Sequence, residues 1–197
     1  MKHALIVTSY KLPSELLAAF NRRNEGWHII SVGDDQQCDL AYHGEDDGIF
    51  SIGAAANIGI KEAVTSGYDI IVKTDIDCIL PDPETLGGVL SIGRGACFRY
   101  WQIKGDKKRQ IEAAKLDHRR IGTLAMTAKD WEKAGYYQAD LRGYGYDDFA
   151  VVLRARAAWV NVPIIINPKV LHIEHEPHNR ATYNPLMRNE NMRKSRS

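Results

Sequence analysis

The pattern of hydrophobic and polar positions divides the chain into short apolar runs separated by amphipathic segments. The runs ALIVT at 4–8 and WHIISVG at 27–33 have the length and the β-branched content of buried strands. Between them, Leu16, Leu17 and Phe20 recur at helical spacing. A strand, a helix and a strand in this order form a βαβ unit, which favours a parallel sheet with a right-handed crossover.

The same alternation continues towards the end of the chain. It predicts further helices at 54–67, from Pro83 onward, at 129–135 and at 147–159. It predicts further strands at 69–75, 95–103, 121–128 and 163–175. The polar stretches 34–48 and 104–120 are predicted as loops, the second with some helix. We therefore expect one α/β domain over 1–180, followed by a basic tail at 181–197.

Composition narrows the class of protein without indicating a function. The 197 residues carry a formal net charge of +1, which favours neither a nucleic-acid-binding protein nor a membrane-surface protein. The three cysteines are widely spaced and form neither a CxxC pair nor a disulfide framework. We find no signal-peptide pattern and no apolar run long enough to cross a bilayer. These features predict a soluble, cytoplasmic protein.

The segment IIVKTDIDCILPDPETL at 70–86 places two carboxylates where an apolar strand ends. Ligands of open α/β sheets bind at the carboxyl ends of strands, and strand alternation puts Asp75 and Asp77 on the same side. Close carboxylates repel each other, whereas a bound Mg²⁺ or Mn²⁺ removes the repulsion and also binds substrate phosphates. A polar strand end before a proline-containing loop would explain the same residues, and a DxD pattern alone is a weak signal.

A second acidic cluster lies in LRGYGYDDFAVVLRA at 141–155. Tyr144, Gly145 and Tyr146 precede Asp147 and Asp148, which stand at the start of a predicted helix. Acidic residues at this position also fit simple helix capping. The tyrosines suit stacking on the face of a sugar, and the glycines let the backbone approach a ligand.

The third cluster, VLHIEHEPHN at 170–179, contains His172 and His175 near the end of a predicted strand. Neutral imidazole is a common ligand of transition metals, although a single histidine at a strand end is usually structural. The spacing does not match the HExxH pattern of zinc proteases.

In their order along the chain, these clusters resemble nucleotide-sugar glycosyltransferases of the GT-A fold, in the family 2 style. The stretch 57–86 is similar to a family segment in which an Asn–x–Gly helix precedes the DxD strand. The stretch 122–155 resembles the carboxy-terminal module shared with galactosyltransferases, usually Gly–Trp–Gly–x–Glu–Asp followed by a helix with an arginine. Here Tyr144 replaces the tryptophan and Asp147 the glutamate, while Asp148 and Arg154 are retained. The resemblance implies a single GT-A (Rossmann-like) domain with a mixed, mostly parallel central sheet.

The resemblance also implies roles for individual residues. Asp75 and Asp77 would hold Mn²⁺ or Mg²⁺ together with His172 or His175, of which we prefer His172. Asp148 would be the general base of an inverting reaction. The acceptor would contact Tyr144, Gly145, Tyr146 and Asp147. The nucleotide-sugar donor would contact Thr8, Tyr10, Asp34, Asp35, Asn57 and Asp75.

The predicted function is metal-dependent transfer of a sugar from a nucleoside-diphosphate sugar to an acceptor hydroxyl. A UDP-sugar is the expected donor, and the acceptor class stays open among glycans, lipids, proteins and modified nucleic-acid bases. A nucleotidyltransferase is the alternative enzyme, but the segment TSYKLPSELL at 8–17 lacks the glycines of a phosphate-binding loop. A non-catalytic protein that binds nucleotide sugar or glycan is the other alternative, and loss of Asp148 or of the DxD pair would have favoured it.

Overall fold

The structure is a computed structural model that describes residues 1–10, 13–34, 36–43, 50–90, 95–104, 107–110, 122–142, 147–173, 190 and 192–194. The strands in these ranges are β1 (His3–Ser9), β2 (His28–Gly33), β3 (Leu40–Ala41), β4 (Ile70–Thr74), β5 (Cys78–Ile79), β6 (Gly95–Lys104), β7 (Lys107–Gln110), β8 (Thr123–Thr127) and β9 (Ile164–Ile173). The helices within 1–173 are α1 (Ser14–Arg23), α2 (Ile52–Thr65), α3 (Pro83–Leu90), α4 (Ala128–Ala134) and α5 (Asp147–Ala157).

All these strands belong to one sheet, in the order β3-β2-β1-β4-β8-β6-β9-β5, with β7 paired to β6. The pairs β1–β2, β1–β4, β2–β3 and β6–β9 are parallel, and the other pairs are antiparallel. Six strands therefore run in one direction, and β5, β7 and β8 run against them. The predicted mixed, mostly parallel sheet is confirmed. Because β1, β2 and β4 are parallel, their carboxyl ends lie at one edge of the sheet.

The two faces of the sheet carry separate hydrophobic clusters, because alternate residues of each strand point to opposite faces. Ile6 and Ile71 pack with residues of α2, α4 and α5 on one face. Leu5 and Val72 pack with residues of α1 and α3 on the other. Complete burial of a side chain of this size contributes about 1.5–3 kcal/mol. The two clusters thus fix the helices on both faces and leave the edge at the carboxyl ends to polar residues.

Helix α2 packs against the sheet mainly through small residues on its inner face. A Cβ atom added to Gly59 would lie 2.7 Å from Cγ2 of Ile6 and 2.9 Å from Cγ2 of Val32. Glycine is therefore required at this position for packing. It accounts for one residue of the Asn–x–Gly pattern.

The two predicted loops both contain strand residues. Leu40 and Ala41 form β3, and the preceding Asp39 accepts hydrogen bonds from Ser31 N at 2.8 Å and Ser31 Oγ at 2.7 Å. Lys107–Gln110 form β7 against β6, where a loop with some helix was expected. The charged sequence KKRQ lacks an apolar pattern, but backbone pairing at a sheet edge does not require one. Residues 105–106 and 111–120 of the second stretch lie outside the described residues.

The predicted tail boundary is not tested, but Lys194 lies near the domain, with Nζ 3.8 Å from Asp140 Oδ2. Among the described helices, none has the length and apolar character needed to cross a membrane.

Candidate active site

The DxD residues form a turn between β4 and β5. Strand β4 ends at Thr74, and Cys78 N donates a hydrogen bond to Asp75 O at 3.0 Å. Strand alternation therefore stops before Asp75, so it does not decide on which side the two carboxylates lie. The side chains of Asp75 and Asp77 contact different partners, Lys73 and His172.

Asp77 and His172 meet because β5 pairs antiparallel with β9. Cys78 is opposite His172 in this pairing, and Ile173 N donates a hydrogen bond to Asp77 O at 2.9 Å. Nε2 of His172 lies 3.2 Å from Oδ2 of Asp77. Burial alone would lower the pKa of His172, but the hydrogen bond and the charge of Asp77 outweigh burial and raise it above the ordinary 6.5. The carboxylate and the imidazole thus form a mutually stabilised pair.

Lys73 is a buried cation next to the carboxyl end of β4. Its side chain is 1% exposed, and Nζ lies 2.8 Å from Asp75 Oδ1 and 3.8 Å from Asp148 Oδ1. Burial would lower the pKa of Lys73, but the carboxylates of Asp148 and Asp75 outweigh burial and raise it well above 10.5. Lys73 is therefore charged at every physiological pH. It links the DxD turn to the start of α5.

Asp148 occupies the first turn of α5 and is 15% exposed. The hydroxyl of Tyr137 donates a hydrogen bond to its Oδ1 at 2.7 Å. Burial raises the pKa of Asp148 from 3.8 to about 7, against the opposing effect of Lys73. Burial and the nearby Asp148 raise the pKa of Tyr137 well above 10.0, so Tyr137 remains a proton donor in this bond. A carboxyl group that titrates near neutral pH suits general-base chemistry.

Tyr137 is held from three directions. Asn57 donates from Nδ2 to Tyr137 O at 2.9 Å and accepts from Tyr137 N at 2.8 Å. The ring stacks on Trp131 with centroids 5.6 Å apart, and Lys73 Nζ lies 6.0 Å from its centroid. Trp131 is fixed in turn by a hydrogen bond from Nε1 to Ile71 O at 3.0 Å. These contacts fix the hydroxyl that bonds to Asp148.

The start of α2 is bonded to the same segment. The hydroxyl of Ser51, the N-cap residue of α2, accepts from Ala54 N at 3.1 Å. It also contacts Leu141 O at 2.9 Å and Ala139 O at 3.1 Å. Ser51 and Asn57 together connect α2 to residues 137–141, which lead to the segment before α5.

An aromatic cluster lies at the carboxyl ends of β1 and β2. Tyr10 stacks on Phe50 with centroids 4.4 Å apart, and Tyr42 contacts Phe50 edge-on at 5.1 Å. Tyr42 N bonds to Gly33 O at 2.8 Å, which holds this loop against β2. A Cβ atom at Gly33 would lie 1.9 Å from Ser9 O, so the two strand ends approach too closely for any side chain there. Aromatic faces of this kind suit a planar ring as ligand.

The predicted site residues that the structure describes lie in several small groups. Asp75 and Asp148 are joined through Lys73, and Asp77 lies beside His172. Thr8 and Asp34 lie at the ends of β1 and β2, near Tyr10, and Asp147 is buried at the start of α5. The predictions that lie outside the described residues are Asp35, Tyr144, Gly145, Tyr146 and His175.

Asn57 has a supporting role that the sequence did not indicate. Its amide bonds to the backbone of Tyr137 through both its nitrogen and its oxygen, while its contact with the donor stays a prediction.

Lys73 and Tyr137 were missed as site residues. A lysine inside the apolar run IIVKT was a usable signal, because a charge in a buried strand needs a partner. Tyr137 had no comparable signal, since one tyrosine after a short helix is common.

The set of metal ligands stays a prediction. Among the described residues, no group of three or more His, Cys, Asp or Glu side chains is arranged to hold a metal ion. The pair formed by Asp77 and His172 offers one oxygen and one nitrogen ligand, and Asp75 is 41% exposed beside it in the chain. Mg²⁺ is usually bound through one or two carboxylates plus substrate phosphates and water. The residues therefore fit a cation that binds together with a diphosphate.

No protein-family model matches the chain, and no curated protein matches its sequence. Solved structures do match. The catalytic domain of Drosophila beta1,4-galactosyltransferase 7, in complex with xylobiose, is 18% identical with a TM-score of 0.63, covering 100% of this chain and 79% of that one. S. aureus TarS with UDP-GlcNAc is 13% identical with a TM-score of 0.63, covering 99% of this chain and 65% of that one. This chain thus spans less than two thirds of the TarS fragment.

A mutant of the Drosophila enzyme, in complex with manganese, UDP-Gal and xylobiose, is 16% identical with a TM-score of 0.54. The match covers 93% of this chain and 80% of that one. The chain has the fold of GT-A glycosyltransferases, and the predicted fold class is confirmed.

Proposed function

We propose that this protein is a glycosyltransferase that moves a sugar from a UDP-sugar to an acceptor hydroxyl with the help of a divalent cation. One observation carries the proposal. Lys73 Nζ contacts both Asp75 and Asp148, so an acidic residue of the DxD turn and the acidic start of α5 lie at one place. The two segments are far apart in sequence, and their predicted roles are complementary. The similarity to enzymes solved with UDP-GlcNAc and UDP-Gal supports the same donor class.

On the donor side, Asp77 and His172 would hold Mn²⁺ or Mg²⁺, with Asp75 as a further ligand. The bound cation supplies a Lewis acid that stabilises negative charge on the departing diphosphate. Tyr10, in its stack with Phe50, would offer a face to the uracil ring, and Thr8 and Asp34 would contact the nucleoside. This arrangement places the nucleoside over the ends of β1 and β2 and the diphosphate beside β4.

On the acceptor side, Asp148 would act as the general base. Its contacts with Tyr137 and Lys73 both fall on Oδ1, so Oδ2 is the oxygen that takes the proton of the acceptor hydroxyl. The acceptor oxygen then forms a bond to the anomeric carbon while the bond to the diphosphate breaks, which inverts the configuration. Asp147 would hold the acceptor together with the segment 143–146. The xylobiose bound by the Drosophila enzyme makes a glycan the first acceptor to test.

The proposal is tested with a panel of UDP-sugars and Mn²⁺, by measuring UDP release first without an acceptor and then with oligosaccharides. Asp77→Asn should abolish Mn²⁺-dependent UDP binding in calorimetry. Asp148→Asn should leave UDP affinity unchanged and lower transfer by about a hundredfold to ten-thousandfold, which is typical for loss of a general base. Asp82→Asn is the matched control, since Asp82 is an exposed carboxylate between β5 and α3 that accepts hydrogen bonds from Thr85.

Three results would contradict the proposal. Equal UDP affinity in excess chelator would remove the cation from it. Near-normal transfer by Asp148→Asn would leave Asp148 as a helix cap. UDP binding without hydrolysis or transfer across the panel would favour a non-catalytic nucleotide-sugar-binding protein.

A further inference from the structure

The buried ammonium of Lys73 is shared unequally by two carboxylates that have different predicted tasks. It forms a hydrogen bond with Asp75 at 2.8 Å, whereas its distance of 3.8 Å to Asp148 is too long for one. The ammonium of Lys73 is therefore attached to the DxD turn. Asp148 has its hydrogen bond from Tyr137 instead.

A divalent cation at Asp75 would change this balance. The carboxylate of Asp75 cannot give its full charge to a metal ion and to an ammonium at once, and the two cations repel each other. Lys73 has three N–H donors on a flexible stem, and Asp148 Oδ1 lies 3.8 Å from Nζ. A displacement of Nζ by roughly 1 Å, through rotation about the torsions of the side chain, is enough to exchange one partner for the other.

We propose that Lys73 is a positioning residue that couples the two halves of the site: it holds Asp75 before the cation binds and bonds to Asp148 afterwards. This inference rests on the proposed function, because it assigns Lys73 a part in the same reaction. Lys73 then has two opposing effects. It competes with the divalent cation for Asp75, and it stabilises the ionised form of Asp148 once the cation and the donor are bound.

The proposed coupling and simple structural damage predict opposite changes in Mn²⁺ affinity. Structural damage would weaken Mn²⁺ binding, whereas removal of the competing ammonium should strengthen it. Mn²⁺ is titrated into the protein by calorimetry, with and without saturating UDP and in the absence of any acceptor. Lys73→Met, which is one atom shorter but keeps an unbranched side chain and removes the charge, should bind Mn²⁺ more tightly, by on the order of tenfold. The same variant should transfer sugar at least about tenfold more slowly, with the loss in kcat and not in KM for the donor. Lys73→Arg should restore part of kcat.

A second comparison covers the case in which Lys73→Met does not fold, because it leaves two carboxylates without their cation. The double variant Lys73→Met with Asp148→Asn removes one of those charges and is compared with Asp148→Asn alone. The double variant should again bind Mn²⁺ more tightly than its reference. Thermal unfolding followed by circular dichroism verifies that each protein is folded.

Unchanged or weaker Mn²⁺ binding in both comparisons would overturn the inference, and so would a complete lack of Mn²⁺ binding by the wild type. The test of this inference can succeed even if the proposed function is wrong. If the wild type transfers no sugar to any acceptor while loss of Lys73 still tightens Mn²⁺ binding, the proposed reaction fails and the competition for Asp75 stands.

Discussion

The pKa of Asp148 predicts that the residue proposed as the base costs the protein stability. A carboxyl group with a pKa of 3.8 in the unfolded chain and about 7 in the folded one binds more protons when folded between these pH values. Stability attributable to Asp148 is therefore present below pH 4, declines as the pH rises, and is lost above pH 7. A difference of one pKa unit between the folded and the unfolded chain corresponds to about 1.4 kcal/mol, so the destabilisation above pH 7 is at most about 4 kcal/mol.

Asp148→Asn removes this cost while keeping the shape of the side chain and an oxygen that accepts from Tyr137. The variant should have a free energy of unfolding up to about 4 kcal/mol higher than the wild type at pH 8, and the gain should vanish near pH 4. Urea denaturation of both proteins at pH 4, 6 and 8, in the presence of EDTA, measures the difference. It should accompany the loss of transfer activity, as expected where an active site is maintained at the expense of stability.

Asp82→Asn is a control of opposite sign. The hydroxyl and the backbone N–H of Thr85 lower the pKa of Asp82, so its contribution to stability is present at neutral pH and lost on acidification. This variant should be less stable than the wild type at pH 8, and the deficit should shrink at low pH. A stability difference for Asp148→Asn that is absent, or that does not change with pH, would refute the reasoning about burial.

Three further predictions concern the residues that position the site. Gly59→Ala should lower the free energy of unfolding by about 1–3 kcal/mol, because its Cβ would lie 2.7 Å from a core methyl group. Gly88→Ala is the control, because a Cβ there meets open space and should not destabilise the fold. Trp159→Gly should stabilise the protein by up to about 1 kcal/mol in thermal unfolding, because Trp159 has a φ of 59° and is 88% exposed; a loss of stability would indicate a contact for its ring. Asn57→Ala should lower transfer and leave UDP affinity unchanged, since its amide acts through Tyr137; a weaker affinity for UDP would instead support a direct contact with the donor.

Local patterns were sufficient for the elements that bury an apolar face. The unit β1–α1–β2 and the strand before the DxD turn follow from runs such as ALIVT and from helical spacing, because burial imposes that spacing. Strands β3, β5 and β7 were missed because pairing at the outer parts of the sheet leaves no apolar signature.

The contacts between the site residues could not be predicted from the sequence, because they depend on the order of the strands in the sheet. That Lys73 meets Asp148, and that Asp77 meets His172, requires β4 to lie beside β8 and β5 beside β9. Spacing along the chain contains no information on these neighbours. The Asn–x–Gly pattern was recognised as a motif, but its physical basis, close packing at Gly59 and a backbone bond at Asn57, appears only in three dimensions.

The bonds from α2 to residues 137–141 have a consequence for how such a protein can change its specificity. Ser51 and Asn57 belong to the helix on the proposed donor side, yet they hold the segment that carries Tyr137 and, through it, Asp148. The donor and acceptor halves are therefore not interchangeable modules, because a helix grafted from another enzyme would disturb the base even if it bound its own nucleotide well. Substitutions at the strand ends can change the donor preference more easily, because they leave the hydrogen bonds of Ser51 and Asn57 intact.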